Sequence, residues 1–109
     1  MTKGTYQVFW TQTARQDLQK IIEYIGADSK IHARKVYLNI KQKAANLQKM
    51  PLRGRIVPEL RHYSILTYRE LISQPWQIIY KIEKGTVWVL AVIDSRRNVE
   101  DILLDRFIL

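Results

Sequence analysis

The chain of 109 residues has no cysteine. That excludes a disulfide framework, a thiolate nucleophile and a cysteine-ligated metal site. Two histidines, His32 and His62, are too few and too far from any carboxylate cluster for a metal constellation. Four scattered glycines form no phosphate-cradling loop. No serine sits in a nucleophile elbow. The longest apolar run, Val87 to Ile93, is far short of the ~20 residues that span a bilayer. No apolar leader core follows Met1-Thr2-Lys3, so a soluble cytoplasmic protein is the expectation, with no membrane partner. No internal repeat, linker or low-complexity tract breaks the chain, which predicts one domain over 1–109.

Acidic residues are also missing from Ser29 to Pro58, where eight cations stand: Lys30, Arg34, Lys35, Lys41, Lys43, Lys49, Arg53 and Arg55. The remaining residues hold ten cations and ten anions, so the net charge of +8 sits in one window. Such a window is either a solvated helix face or a docking surface for something anionic.

What is present reads as alternating elements. Tyr6 to Trp10 is β-prone. Thr13-Ala14-Arg15-Gln16 has the form of a capping box and predicts a helix start. Leu18, Ile21, Ile22 and Ile25 continue it as one apolar stripe. Gly26 to Ser29 breaks the helix. A second follows through Ala33, Val36, Tyr37, Ile40, Ala44 and Leu47, capped by Asp28 or Ser29 and closed before Pro51. Gly54 to Tyr63 is expected to be irregular. Ile65 to Ile72 and Trp76 to Ile82 read as strands. Thr86 to Ile93 reads as a central strand buried on both faces. Glu83-Lys84-Gly85 is a turn, and the three strands form an antiparallel meander. Asn98 is a candidate cap for a C-terminal helix through Val99 and Phe107. The predicted order is β-α-α-β-β-β-α, an α+β fold with a small, mainly antiparallel sheet on a helical hairpin.

Chemistry-bearing residues gather late in the chain. Arg69, Lys81, Arg96 and Arg97 lie on or near the strands, and Arg55, Arg61 and Glu59 lie in the loop before them. Arginine forks bind phosphate or carboxylate. A glutamate beside them suits the base of a metal-free ribonuclease, with the cations stabilising phosphorane charge. The competing reading is an ion pair from Glu59 to Arg55 or Arg61. A nuclease also needs a general acid. The end of the last strand offers Asp94-Ser95-Arg96-Arg97, and an arginine with pKa of roughly 12 or more is a poor proton donor. Tyr68 and Tyr80 could supply that acid, and the competing reading is of core tyrosines with hydroxyls at the rim. Both histidines read as surface residues.

Several stretches, taken in order, resemble the ParE/RelE toxin superfamily. They are Ala14-x-x-Asp17-Leu18-x-x-Ile21-x-x-Tyr24-Ile25, Pro51-x-x-Gly54-Arg55-x-Val57-Pro58-Glu59-Leu60, Tyr68-Arg69-Glu70, Ile79-Tyr80-Lys81-Ile82 and Val89 to Arg97. The resemblance covers roughly Phe9 to Arg106. It implies a toxin of a type II toxin–antitoxin module, a group that includes plasmid stabilisation systems. It implies a cognate antitoxin as partner and no cofactor or metal. RelE-like members cleave ribosome-bound mRNA, and ParE-like members inhibit DNA gyrase. Glu59 matches a Pro-Glu that carries the base in some nucleases. Gln77 stands where nuclease members often have arginine, and Ser95-Arg96-Arg97 replaces a histidine or tyrosine. These departures favour the ParE-like branch, a gyrase inhibitor without catalytic residues, contacting its target through Arg69, Arg96, Arg97 and the C-terminal helix. The alternative is an mRNA endonuclease using Glu59, Arg69, Lys81 and Arg96. A third reading is a degenerate toxin kept as a regulatory module. In each, the antitoxin is expected on the helical hairpin and sheet edge, at Leu18, Ile22 and Tyr37, with Lys35, Lys41 and Lys43 speeding association.

Overall fold

The structure, a computed structural model, describes residues 5–109. Strand β1 (Gln7–Trp10) leads into helices α1 (Gln12–Gly26) and α2 (Lys30–Ala45), followed by a 3-10 turn at Asn46–Gln48. Short elements β2 (Arg55–Ile56) and α3 (Pro58–Arg61) precede the meander of β3 (Tyr68–Ser73), β4 (Trp76–Glu83) and β5 (Thr86–Asp94). Helix α4 (Val99–Leu103) runs into a π-type turn at Leu104–Ile108. The sheet order is β1-β5-β4-β3-β2. Among the described strands only β1 runs parallel to its neighbour. This is the expected α+β order with two short additions, β2 and α3, in the stretch expected to be irregular.

Local chemistry explains the boundaries and corrects several of them. Helix α1 is capped by Thr11, not by Thr13: the Thr11 hydroxyl accepts from the Ala14 amide at 3.2 Å. The same hydroxyl donates to the Val89 carbonyl at 3.2 Å, so one side chain starts the helix and ties it to β5. Thr13 lies in the exposed first turn and has no such partner to gain. Ser29, one of the two expected caps, starts α2 by accepting from the His32 amide. Strand β3 begins at Tyr68, three residues later than expected. Ser64 takes a positive φ of 63° and the Ile65 amide turns back to the Leu60 carbonyl, which keeps that stretch out of the sheet. Lys84 and Gly85 both have positive φ, 47° and 79°, the geometry of a tight two-residue hairpin. Asn98 caps α4 by accepting from the Asp101 amide.

The central place in the sheet belongs to β4, not to β5. Trp76 to Tyr80 of β4 are buried on both faces, whereas β5 alternates up to Leu90 and is continuously buried only over Ala91–Ile93. On one face, Ala14, Leu18, Ile40, Ala44 and Leu47 of the hairpin pack on Leu71, Ile78, Tyr80, Val87 and Val89. On the other, Val57, Leu60, Val99 and Leu103 cover Ile79, Ala91 and Ile93. Over Ile79, Ala91 and Ile93 the second face is therefore closed by α3 and α4. Each leucine, isoleucine or valine side chain so buried contributes about 1.5–3 kcal/mol, and each alanine less. Among the described residues no helix is long and apolar enough to cross a membrane.

Candidate functional site

The stretch from Pro51 to Arg55 is held to the sheet by one tyrosine. The Tyr80 hydroxyl accepts from the Gly54 amide at 2.9 Å and donates to the Pro51 carbonyl at 2.7 Å. Burial pushes the Tyr80 hydroxyl pKa up, against a smaller opposite effect of the Gly54 amide. Gly54 is required here, because a Cβ would lie 2.5 Å from the Glu70 carbonyl oxygen. Arg69 reaches the same loop, donating from Nη1 to the Gly54 carbonyl at 2.7 Å. Strand alternation puts Arg69, opposite Tyr80, on the hairpin face.

Lys81, opposite Tyr68 and Trp88, points to the other face. There it lies in a cross-strand row, Phe9–Trp88–Lys81–Tyr68, with the Phe9 and Trp88 rings 5.3 Å apart. Phe107 stacks on Tyr68, also at 5.3 Å. Lys81 and Arg69 thus look away from each other.

Glu70 has no exposed side-chain surface. Its carboxylate accepts from Arg55 Nε at 2.7 Å and from the Gln77 side-chain amide. Gln77 thereby satisfies a buried anion across β3 and β4. Among the described residues the ion pair from Glu59 to Arg55 or Arg61 is not formed: Arg55 is engaged by Glu70, and Arg61 makes no ion pair. Glu59 Oε1 is instead buried without a hydrogen-bond partner among the described residues. His62 is exposed and packs edge-on against Tyr63.

Arg96 folds back on the end of β5. Its Nε and Nη2 donate to the two Asp94 carboxylate oxygens at 2.8 and 2.6 Å. The Arg96 guanidinium holds the Asp94 carboxyl below its usual range. Asp94 is opposite Trp76, so this pair also lies on the hairpin side of the sheet. Arg97 is exposed beside it. A hollow of about 360 Å³ opens here, lined by Lys20 and Tyr24 of α1, Trp76, Val92, Arg96 and Arg97, among others. Glu59, Arg69, Lys81 and Arg96 are thus distributed over both faces of the sheet.

The hairpin residues do come together. Leu18, Ile22, Tyr37 and Lys41 line one groove of about 290 Å³ with Trp10, Arg15, Gln19 and Glu23. It is mainly apolar, and Lys41 Nζ stands 4.6 Å over the Trp10 ring at its wall. Lys35 is exposed on α2, outside this groove. Lys43 points elsewhere, donating to the Ile72 carbonyl at 3.1 Å.

Sequence reasoning assigned no role to Asp17 and Arg106. Asp17 accepts from the Val92 amide at 3.1 Å and from two Arg106 nitrogens at 2.8 and 3.1 Å. The pair ties the C-terminal segment to α1 across the edge of β5 left open beyond β1. The available signal was a carboxylate one residue before Leu18, at the border of the apolar stripe of α1.

Comparison with known proteins places this geometry in a group. The family described as the ParE toxin of type II toxin–antitoxin system, parDE, matches residues 8–99. Toxin RelE2 of Caulobacter vibrioides is 34% identical over 92 residues, covering 84% of this chain and 97% of that protein. The chromosomal ParDE toxin–antitoxin system from P. aeruginosa has a chain of the same fold, with TM-score 0.69, 19% identity, and 83% of this chain and 96% of that one covered. A chain of the RelBE2 toxin–antitoxin complex from Mycobacterium tuberculosis aligns with TM-score 0.62 and 23% identity, covering 85% of this chain and 94% of that one. With the family match spanning most of the chain, this protein belongs to the ParE/RelE superfamily of type II toxin–antitoxin toxins.

Proposed function

We propose that this toxin acts by binding DNA gyrase rather than by cutting RNA, and that a cognate antitoxin neutralises it. The observation that carries the reading is the separation of Glu59, Arg69, Lys81 and Arg96. A metal-free nuclease needs its base and its phosphate-holding cations around one reacting atom. Here Arg69 is engaged by Gly54, Arg96 by Asp94, and Lys81 faces the opposite side of the sheet. Gln77 and Glu70, under the closed face, satisfy each other instead of facing a substrate. Target contact falls to Arg96 and Arg97 at the exposed end of β5.

The groove between α1 and α2 supports the antitoxin reading. It offers apolar anchoring at Leu18, Ile22 and Tyr37, with Lys41 at its wall. An amphipathic segment with acidic flanks fits such a groove. The toxin–antitoxin systems among the structural relatives support an antitoxin partner.

Purified toxin titrated into a gyrase supercoiling reaction tests the proposal. Loss of supercoiling, restored by the antitoxin, is expected. One observation favours the second reading, a ribosome-dependent mRNA endonuclease: the unpartnered Glu59 oxygen, alongside the identity to a relative named RelE2. Primer extension on ribosome-bound mRNA distinguishes the two, since cleavage that vanishes in Glu59→Ala would establish the nuclease. Harmless expression without the antitoxin would instead point to a degenerate toxin.

A further inference from the structure

The hollow at the end of β5 has a construction of its own. Its floor is apolar: Trp76, 8% exposed, with Val92 and Ile21. Lys20, Arg96 and Arg97 stand around it, and the side chain of Tyr24, 80% exposed, forms an aromatic wall. The two carboxylates of the lining are already engaged, Asp17 by Arg106 and Asp94 by Arg96. With Arg106 pairing Asp17 from outside the lining and Arg96 pairing Asp94, Lys20 and Arg97 are left with no ion-pair partner among the described residues. Arg96 contributes field there, since its fork is occupied by Asp94.

We infer that this hollow docks a peptide segment of the toxin's target, one that carries aspartate or glutamate on both sides of a bulky apolar side chain. The apolar side chain seats on Trp76 and Val92 between the cations, and the flanking carboxylates meet Lys20 and Arg97. The inference rests on the reading of Arg96 and Arg97 as target contacts and supplies the chemistry of what they contact. Charge complementarity and shape together select the occupant. A nucleic-acid backbone presents closely spaced phosphates and wants cations without intervening anions. Here Asp17 and Asp94 line the wall, and the centre is an apolar-floored hollow of about 360 Å³, the size of one or two side chains. The site is also separate from the proposed antitoxin groove. Leu18, Gln19, Ile22 and Glu23 face α2, while Asp17, Lys20, Ile21 and Tyr24, at spacings of three and four, face β5.

The test uses capped pentapeptides and backbone NMR of the full chain. Asp-Glu-Phe-Asp-Glu is compared with Asn-Gln-Phe-Asn-Gln and Asp-Glu-Ala-Asp-Glu. The first should shift the amides of Lys20 to Tyr24 and of Val92 to Arg97, and each of the other two should bind about tenfold or more weakly. Lys20→Glu with Arg97→Glu, both exposed, should abolish the shifts, and Gln19→Glu, exposed at the other groove, should leave them. Shifts confined to the α1–α2 groove, equal binding of the neutral peptide, or a charge-reversed variant that binds as well would each overturn the inference.

The same charge-reversed protein goes into the supercoiling reaction. Loss of gyrase inhibition together with loss of peptide binding supports the assignment. Retained inhibition with lost peptide binding overturns the hollow as the target site and leaves the gyrase reading standing. Peptide binding by a wild-type toxin that never inhibits gyrase removes gyrase and leaves the hollow for another acidic protein.

Discussion

Tyr80 shows how one hydroxyl can hold a loop whose own sequence specifies little. Its two hydrogen bonds join residues 26 and 29 positions away. Tyr80→Phe leaves the Gly54 amide and Pro51 carbonyl unpaired, and should cost about 1–3 kcal/mol, read as a lower Tm. Its pKa is raised in the folded protein, so the stability tied to the neutral hydroxyl is fully present below the ordinary value of about 10. That stability is lost as pH rises through the folded value. In a spectrophotometric titration, Tyr80→Phe should therefore remove a late-ionising phenol. Gly54→Ala should destabilise more than Tyr80→Phe, because the added Cβ meets a backbone oxygen of Glu70 as well as the tyrosine. Restoring room with Tyr80→Phe should not rescue it, as a thermal melt of the double variant would report.

At the level of elements, the helical hairpin was the most readable part of the chain. Its 3.6-residue stripe, Ser29 cap and Pro51 stop are local signals, and local signals survive into the fold. The Thr11 cap was less readable because its advantage is tertiary: the competing Thr13 fits the capping box but lacks a strand to bond. The hidden place of β5 has the same cause. A run of apolar residues reports burial, but not which neighbour covers it. The Asp17–Arg106 pair spans 89 positions, beyond any spacing rule. Arg106→Ala should cost only about 1 kcal/mol, since the pair is partly solvated. Asp17→Ala should cost more, because the Val92 amide also loses its acceptor. Hydrogen exchange tells them apart: Asp17→Ala should speed exchange at Val92 and over Val99–Leu103, and Arg106→Ala chiefly at the latter.

Across the whole molecule, the proposed function divides the work of recognition between the net charge of +8 and the apolar grooves. Cations on an exposed surface raise encounter rates, while buried apolar contacts slow departure. Replacing Lys35, Lys41 and Lys43 with alanine should lower the antitoxin association rate in a salt-sensitive way, with a smaller change in dissociation, measured by surface-based kinetics. An unchanged association rate would count against electrostatic steering. The candidate site was legible in part. The sequence names Arg69, Lys81, Arg96 and Arg97 as cations near strands, but the two-residue alternation that sends Lys81 to the opposite face depends on register. Register in turn depends on where β3 begins, and that is set by the turn at Ser64. Likewise Arg96 reads as a free cation until Asp94, two positions earlier, is seen to hold it.

The central claim is that the toxin works by binding, with no assembled ribonuclease centre. Side-by-side assays of the same purified protein on gyrase supercoiling and on ribosome-bound mRNA test it most directly. The account predicts dose-dependent loss of supercoiling, no mRNA cleavage, and no effect of Glu59→Ala on either. Unimpaired supercoiling at excess toxin, with mRNA cleavage that disappears in Glu59→Ala, would contradict it.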